Sequence, residues 1–101
     1  MEIKIDKSIE KFIQSLDDNT IAKVLRVIDL LERFHHDLGM PHTKKVCAGI
    51  FELRVRGKQE IRLMYAFHAS KIVLLHGFVK KSQKIPQKEL KLAQQKFQDL
   101  Q

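Results

Sequence analysis

The spacing of apolar residues changes once along this chain, and the change limits the folds that the chain can adopt. Up to Phe34 the apolar residues recur every three or four positions, as they do along one face of a helix. From Ile50 to Val79 they form short runs with polar links, which is typical of β-strands. Helices followed by strands predict a compact α+β layer of helices packed against a sheet.

The first half of the chain predicts a short strand followed by a helical hairpin. Residues 3–5 alternate apolar and polar side chains, and Asp6 or Ser8 can cap the helix that follows. The apolar stripes of the two helices are Ile9, Phe12, Ile13 and Leu16, and then Ile21, Val24, Leu25, Ile28 and Leu31. We expect Gly39 and Pro41 to end the second helical element.

The second half predicts three strands and a final helix. The strand patterns cover residues 50–56, 61–68 and 72–79, and their short links predict an antiparallel meander. The third run is apolar on both faces, so we expect it to lie inside the sheet. Pro86 suits the first turn of a C-terminal helix. The apolar seam of that helix comprises Leu90, Ala93, Phe97 and Leu100.

Length and composition predict a single cytoplasmic domain spanning residues 1–101. The chain does not start with a basic segment and an apolar core, so we expect no signal peptide. No apolar run approaches the roughly 18 residues of a membrane span, so we expect no membrane association. The one cysteine, Cys47, cannot form an internal disulfide, which suits a reducing compartment.

Positive charge is concentrated in the second half of the chain. Residues 1–50 carry eight basic and eight acidic side chains, whereas residues 51–101 carry eleven basic and four acidic ones. This imbalance favours a polyanionic partner for the second half. Charge that only keeps the surface soluble explains the composition equally well.

The strand pattern predicts where these cations lie. If the helices cover the face that carries Phe51, the opposite face presents arginines beside Met64 and Ala66. Antiparallel neighbours lie about 5 Å apart, so the arginines and the lysines that end the third strand predict one concave cationic surface. Its members are Arg54, Arg56, Arg62, Lys80, Lys81 and Lys84.

Such a surface suits RNA cleavage by the RNA's own 2′-hydroxyl, which requires neither a metal nor another cofactor. The reaction needs a base, cations that stabilise the pentavalent phosphate, and an acid for the leaving 5′-oxygen. Arginine suits the phosphate, and a lysine among other cations has a lowered pKa that suits proton transfer. From residue types alone, a phosphate-binding patch without turnover is favoured, because binding needs less precise geometry.

The other chemically active side chains carry weaker signals. No histidine or cysteine spacing matches a zinc site, so we expect no metal. His76 interrupts an apolar strand, and we expect a hydrogen-bonded core histidine, with an active-site role as the alternative. We expect Cys47 to be a small core residue and Tyr65, the chain's only tyrosine, to pack on the apolar face.

Four blocks of sequence resemble a known family when they are taken together. These are "LGMPHTKK" at 38–45, "GIFELR" at 49–54, "IRLMY" at 61–65 and "LLHGFVKKSQKIP" at 74–86. In this order and spacing they resemble the HigB-like, phage-derived branch of the RelE/ParE toxin superfamily, over roughly residues 38–95. The resemblance implies a RelE-like fold, with an N-terminal strand and helical hairpin packed on a mainly antiparallel sheet, and a C-terminal helix.

The resemblance also implies a function. HigB-like toxins belong to type II toxin–antitoxin pairs and are ribosome-dependent mRNA endonucleases that inhibit translation. The antitoxin is usually a helix-turn-helix DNA-binding protein. Carried over by motif, the catalytic residues are Arg54, Arg62, Lys80 and Lys81, and the RNA-binding residues are Arg56, Lys84, Lys45 and His76.

Two questions stay open within the resemblance. Many RelE-type enzymes carry a tyrosine or histidine near the C-terminal end of the sheet, where this chain has lysines. The general base is therefore one of Lys80, Lys81 and His76. ParE-type members of the superfamily poison DNA gyrase on the same fold, and a non-catalytic RNA-binding module is the third alternative.

Overall fold

The computed structural model describes residues 1–100 and confirms the predicted α+β fold. A five-stranded sheet carries two helices on one face and one helix on the other. The elements are β1 (Ile3–Lys4), α1 (Lys7–Gln14), α2 (Asp18–Phe34), a 3-10 helix (His35–Asp37), β2 (Thr43–Cys47), β3 (Ile50–Val55), β4 (Ile61–His68), β5 (Lys71–Val79) and α3 (Gln87–Leu100).

The sheet is mainly antiparallel, and its strand order is β1-β5-β4-β3-β2. Only β1 and β5 run parallel, while the other three pairs are antiparallel. The predicted interior position of residues 72–79 is confirmed, because β5 lies between β1 and β4. The sequence did not predict β2, since Thr43–Cys47 lacks an alternating apolar pattern. Two adjacent lysines suit an edge strand, because charge there discourages pairing with another chain.

The helical hairpin covers one face of the sheet, as its apolar stripes predict. The Asp6 carboxylate accepts a hydrogen bond from the Ile9 N–H at 3.0 Å, and Asp17 caps α2 through the Thr20 N–H at 2.8 Å. The buried residues of this core are Ile9, Ile13, Val24, Leu31, Leu53, Val55, Ile61, Leu63, Tyr65, Ile72 and Leu74. Tyr65 packs within this core, so its predicted packing role is confirmed.

The second helix ends earlier than predicted. We expected the element to continue to Gly39 and Pro41, but α2 stops at Phe34. His35 leaves the helical conformation with a φ of 35°, and a 3-10 turn follows through Asp37. The change turns the histidine pair toward the end of the sheet, where the His36 ring stacks on Phe67.

The C-terminal helix covers the other face of the sheet, and this corrects one expectation. We expected Met64 and Ala66 to face an open concave surface, but both are fully buried under α3. Ala93 is the fully buried residue of α3, and its small side chain lies in the same core as Met64 and Ala66. The predicted apolar seam of this helix is therefore core, and only the far end of the same face is left for a site.

The strand β5 contains a bulge at Leu75, shortly before the end of the strand where the candidate site lies. Met64 pairs with His76 and Tyr65 pairs with Leu74, so Leu75 is an extra residue without a partner in β4. Gly77 follows, and a Cβ atom there would lie 2.8 Å from side-chain atoms of both Leu63 and Phe12. The absence of a side chain at Gly77 therefore lets α1 pack closely on the sheet.

Candidate nucleic-acid site

The ends of three strands bring the predicted cationic residues to one corner of the sheet. Arg54 in β3 lies directly opposite Arg62 in β4. Lys80 follows β5, and its N–H donates a hydrogen bond to the Glu60 carbonyl at 2.7 Å. Like charges that face each other across a sheet are unfavourable, so this arrangement needs counter-ions.

Two glutamates supply the counter-ions, and sequence analysis did not single out either of them. Arg54 Nε donates to Glu52 Oε1 at 2.8 Å, and the Glu52 side chain is only 5% exposed. Arg62 Nη2 lies 3.3 Å from Glu60 Oε1. Buried charges are tolerated only when they are paired, so these contacts fix both arginines in place. The "FELR" and "QEIR" stretches show each glutamate two residues before its arginine, which is the signal for same-face pairing in an extended segment.

Arg62 is less accessible than its predicted role implies. We expected it on an open face, but its side chain is 4% exposed, and Nη1 donates to the neighbouring Ile61 carbonyl at 3.0 Å. Its Nε is buried and has no partner within residues 1–100. Arg62 is thus a largely desolvated cation. Because little water surrounds it, its charge interacts more strongly with groups at this corner of the sheet than an exposed charge would.

The lysines after β5 divide into one bound side chain and two free ones. Lys80 Nζ donates to the carbonyls of Ser82 and Gln83, both at 2.8 Å. Lys81 and Lys84 are exposed and make no salt bridge within the described part of the chain. Lys80 therefore shapes the loop, whereas Lys81 and Lys84 hold positive charge free to meet an anion.

Two open clefts meet at this loop. The Glu52 cleft, of about 280 Å³, is lined by Lys44, Lys45, Val46, Glu52, Arg54, Lys80, Gln83, Lys84 and Ile85. The Arg62 cleft, of about 460 Å³, is lined by Arg56, Glu60, Arg62, Lys80, Lys81, Ser82 and Gln83. Lys80 and Gln83 line both clefts and form the ridge between them. The described corner thus joins all the predicted arginines and lysines in two adjacent, mainly cationic depressions.

The unpredicted strand β2 places Lys44 and Lys45 on opposite faces of the sheet. Lys44 pairs with Glu52, so it lies on the same sheet face as Arg54. Lys45 pairs with Phe51 and lies on the opposite face, from which it lines the Glu52 cleft at the edge of the sheet. Sequence analysis named Lys45 and missed Lys44, because the register of an unpredicted strand was unknown.

His76 lies apart from this corner. Its Nε2 is 2.7 Å from Glu89 Oε1 in the first turn of α3, and its ring stacks against Phe78. The side chain is 19% exposed and lines neither cationic cleft. The hydrogen-bonded histidine that we predicted is confirmed, and its contact joins α3 to the sheet.

Tyr65 lies on the other face of the sheet from Arg54 and Arg62 and lines neither cationic cleft. It is 2% exposed within the core under the helical hairpin. Burial raises the pKa of its hydroxyl, and a hydrogen bond with Thr43 opposes part of that rise. The hydroxyl therefore stays protonated near neutral pH and faces away from Arg54 and Arg62.

Residues 1–100 offer neither a metal site nor a membrane-spanning helix. No group of three or more histidine, cysteine, aspartate or glutamate side chains is placed to hold a metal ion. No described helix is both long and apolar enough to cross a lipid bilayer. What the corner does offer is a set of fixed cations flanked by mobile ones.

Comparison with known proteins identifies the family. No curated protein is similar enough to count as a match. The model of the family described as "Phage derived protein Gp49-like (DUF891)" matches residues 11–98, which include both cationic clefts, all of α2, most of α3 and the second half of α1. This RelE-like family occurs in toxin–antitoxin systems, and the match is coarser than the HigB-like branch predicted from the sequence blocks. The chain therefore belongs to the Gp49-like family of phage-derived proteins.

Proposed function

We propose that this protein is the HigB-like toxin of a type II toxin–antitoxin pair and that it cleaves mRNA on the translating ribosome. Membership of a RelE-like family supports the assignment to a toxin. The observation that carries the nuclease is the convergence of Arg54, Arg62 and Lys80 beside two free lysines. That arrangement combines fixed positive charge for a transition state with mobile charge for an RNA backbone.

The chemistry proposed for the corner is attack by the RNA 2′-hydroxyl on the adjacent phosphate. The 2′-oxygen forms a bond to phosphorus, the bond to the 5′-oxygen breaks, and a 2′,3′-cyclic phosphate remains. Arg62 suits the pentavalent phosphate because its charge is desolvated and fixed by Glu60. Lys80 and Lys81 are the candidates for proton transfer, since His76 is bonded to Glu89 outside the clefts.

The remaining cations fit a role in positioning. Arg56, Lys84 and Lys45 line the two clefts and lie around the proposed scissile phosphate. Lys44 joins them from β2. Contacts of this kind set the path and affinity of a strand without reading its sequence. Codon choice would then come from the ribosome and from contacts to bases.

The proposed partners follow from the same function. They are mRNA, the ribosome and a cognate antitoxin, which we expect to be a helix-turn-helix DNA-binding protein. An acidic segment of the antitoxin that covers Lys81 and Lys84 would block the corner directly. The proposed location is the cytoplasm, where ribosomes translate.

Primer extension on a reporter mRNA in a bacterial translating extract tests the nuclease. The informative variant is the double substitution Lys81→Ala/Lys84→Ala, because both side chains are exposed and their removal disturbs no internal contact. Lys11→Ala on α1 is the matched control, since it removes an exposed lysine from the other side of the sheet.

The proposal expects new 5′ ends within the reading frame for the wild type and for Lys11→Ala. It expects far fewer ends for the double variant, and none for any protein when ribosomes are left out. Intact mRNA in an extract whose translation is arrested by the folded wild type would refute the nuclease. A gyrase supercoiling assay would then test the ParE-type alternative.

A further inference from the structure

A third cleft lies on the opposite side of β2 from the fixed arginines, and the proposed cleavage does not use it. This aromatic cleft, of about 360 Å³, is lined by His35, His36, Leu38, Gly39, Met40, Thr43, Lys44, Lys45, Phe51, Tyr65 and Phe67. It forms where the 3-10 helix and the loop before β2 lean over the ends of β3 and β4. Aromatic rings and lysines in one depression are typical of sites for unpaired bases.

The rings that line this cleft form two stacked pairs, and the two pairs meet edge to face through Phe67. The His36 ring lies parallel to Phe67, with 3.8 Å between the ring centroids and 18° between the planes. Phe51 and Tyr65 form a second stacked pair at 5.5 Å and 22°. His36 is an exposed residue although Phe67 covers one face of its ring, so it keeps surface on which a further planar group can pack.

A polar atom in the same place lacks a partner. His35 Nδ1 is buried and makes no hydrogen bond within residues 1–100. The residue has a φ of 35° and a ψ of −111°, a combination outside the allowed regions for residues other than glycine, so the chain keeps the ring there against a backbone cost. Because His35 lines the cleft and an unpaired buried nitrogen costs free energy, a base whose polar edge reaches that nitrogen would be bound more tightly.

The aromatic cleft is continuous with the cationic corner. Lys44 and Lys45 line both the aromatic cleft and the Glu52 cleft, and they lie on opposite faces of the edge strand β2. Neither lysine makes a salt bridge within the described residues. A polyanion that crosses the edge of the sheet would therefore meet one free cation on each side.

We propose that the aromatic cleft binds an unpaired base of single-stranded RNA, stacked on His36, while neighbouring phosphates lie on Lys44 and Lys45. The inference rests on the proposed function only in taking RNA as the ligand. It adds a base-binding subsite on the sheet face opposite Arg54. The free lysines at the rim favour a nucleic acid over an apolar peptide segment as the occupant.

Binding of an uncleavable RNA tests the subsite without ribosomes and without cleavage. The probes are two short, fluorescein-labelled 2′-O-methyl RNA strands, one intact and one in which every base is replaced by an abasic unit. Dissociation constants come from fluorescence anisotropy. The variants are His36→Ala, His36→Phe and the control His68→Ala, whose residue ends β4 and lines none of these clefts.

Loss of one stacked base predicts that His36→Ala binds the intact strand about fivefold or more weakly than the wild type. His36→Phe keeps a stacking plate and should bind like the wild type, as should His68→Ala. The abasic strand should bind the wild type and His36→Ala equally. The salt dependence should be unchanged by His36→Ala and reduced by Lys44→Ala, with the slope changing by about 0.7 for one lost contact.

Two results would overturn the inference. One is equal binding of the intact strand by the wild type and His36→Ala, and the other is the absence of measurable RNA binding by the wild type. Loss of antitoxin binding by His36→Ala with unchanged RNA binding would assign the cleft to a protein partner instead. None of these results decides the outcome of primer extension on the reporter mRNA. The base-binding subsite and the proposed nuclease activity are therefore tested independently.

Discussion

Replacing Arg54 with alanine should destabilise the fold, because it leaves the Glu52 carboxylate buried without its counter-ion. Glu52 is 5% exposed, and its second oxygen, Oε2, already lacks a partner within residues 1–100. Breaking a buried pair from one side costs on the order of 3–5 kcal/mol. Arg54 keeps 17% exposure, so part of the pair is solvated, and we expect about 3 kcal/mol for Arg54→Ala.

The reverse change, Glu52→Ala, should cost less, about 2 kcal/mol, because the Arg54 guanidinium can turn toward water. The double variant should lose about 3 kcal/mol rather than the sum of the two single losses, which gives a coupling energy of about 2 kcal/mol. For a domain of this length, Arg54→Ala alone should lower Tm by roughly 12–24 °C.

Urea denaturation of the four proteins in this cycle measures the coupling directly. The exposed pair Asp29–Arg33 at 3.2 Å is the matched control, and its coupling should stay at or below about 0.5 kcal/mol. If the two losses at Glu52 and Arg54 add to within about 0.5 kcal/mol, the pair is not the structural anchor described here. Arg54 would then count as a free cation like Lys84.

Three further predictions concern the frame around the site. The hydrogen bonds of Asp6 with Lys96, Ser8 and the Ile9 N–H outweigh the effect of burial, which alone would raise its pKa, and lower that pKa to about 2. This contribution is present above about pH 4 and is lost as pH falls through 2, where Asp6 is still half ionised. Because Asp6 is half exposed, Lys96→Met should cost no more than about 1 kcal/mol at pH 7 and a small fraction of that at pH 2, measured by urea denaturation at both pH values. Gly49→Ala should lower the Tm measured by circular dichroism, because the residue has a φ of 80° and a Cβ would lie 2.6 Å from the Phe97 ring. An unchanged Tm would contradict the packing of α3 on the β2–β3 turn. Ala93→Leu should destabilise by about 1–3 kcal/mol through overpacking against the sheet, whereas Leu92→Ala at an exposed position of the same helix should change unfolding in urea little.

The elements of this fold follow from the sequence wherever a strong period exists. The 3.6-residue stripes predicted α1, α2 and α3, and the alternation in residues 50–79 predicted β3, β4 and β5 with their antiparallel order. The strand β2 was missed because an edge strand is held by pairing on one side and does not need its own apolar pattern.

The position of the candidate site was predicted from the sequence, but the ion pairs and the burial of its arginines were not. Arg54 and Arg62 were expected to be neighbours, and the register confirms this. Their burial was not expected, because it depends on Glu52 and Glu60 as counter-ions, which sequence analysis did not single out. The spacing of each glutamate two residues before its arginine indicates that the pairs share a face, but it does not indicate how deeply they are buried.

The aromatic cleft was also not predicted from the sequence. The second helical element was predicted to continue past His35 and His36 to Gly39, because nothing in the local pattern ends α2 at Phe34. The positive φ of His35 and the stack of His36 on Phe67 appear only in three dimensions. Residues whose role depends on a break in regular structure are therefore found from the fold and not from periodicity.

The most direct test of the nuclease uses purified bacterial ribosomes programmed with a defined mRNA. The mRNA carries a single 2′-deoxynucleotide at the position that the wild-type protein cuts. The account predicts cleavage of the unmodified mRNA only when ribosomes are present, a 2′,3′-cyclic phosphate on the upstream product, and no cleavage at the deoxy position. Cleavage that persists at the deoxy position, or that proceeds without ribosomes, would contradict the proposed reaction at this corner of the sheet.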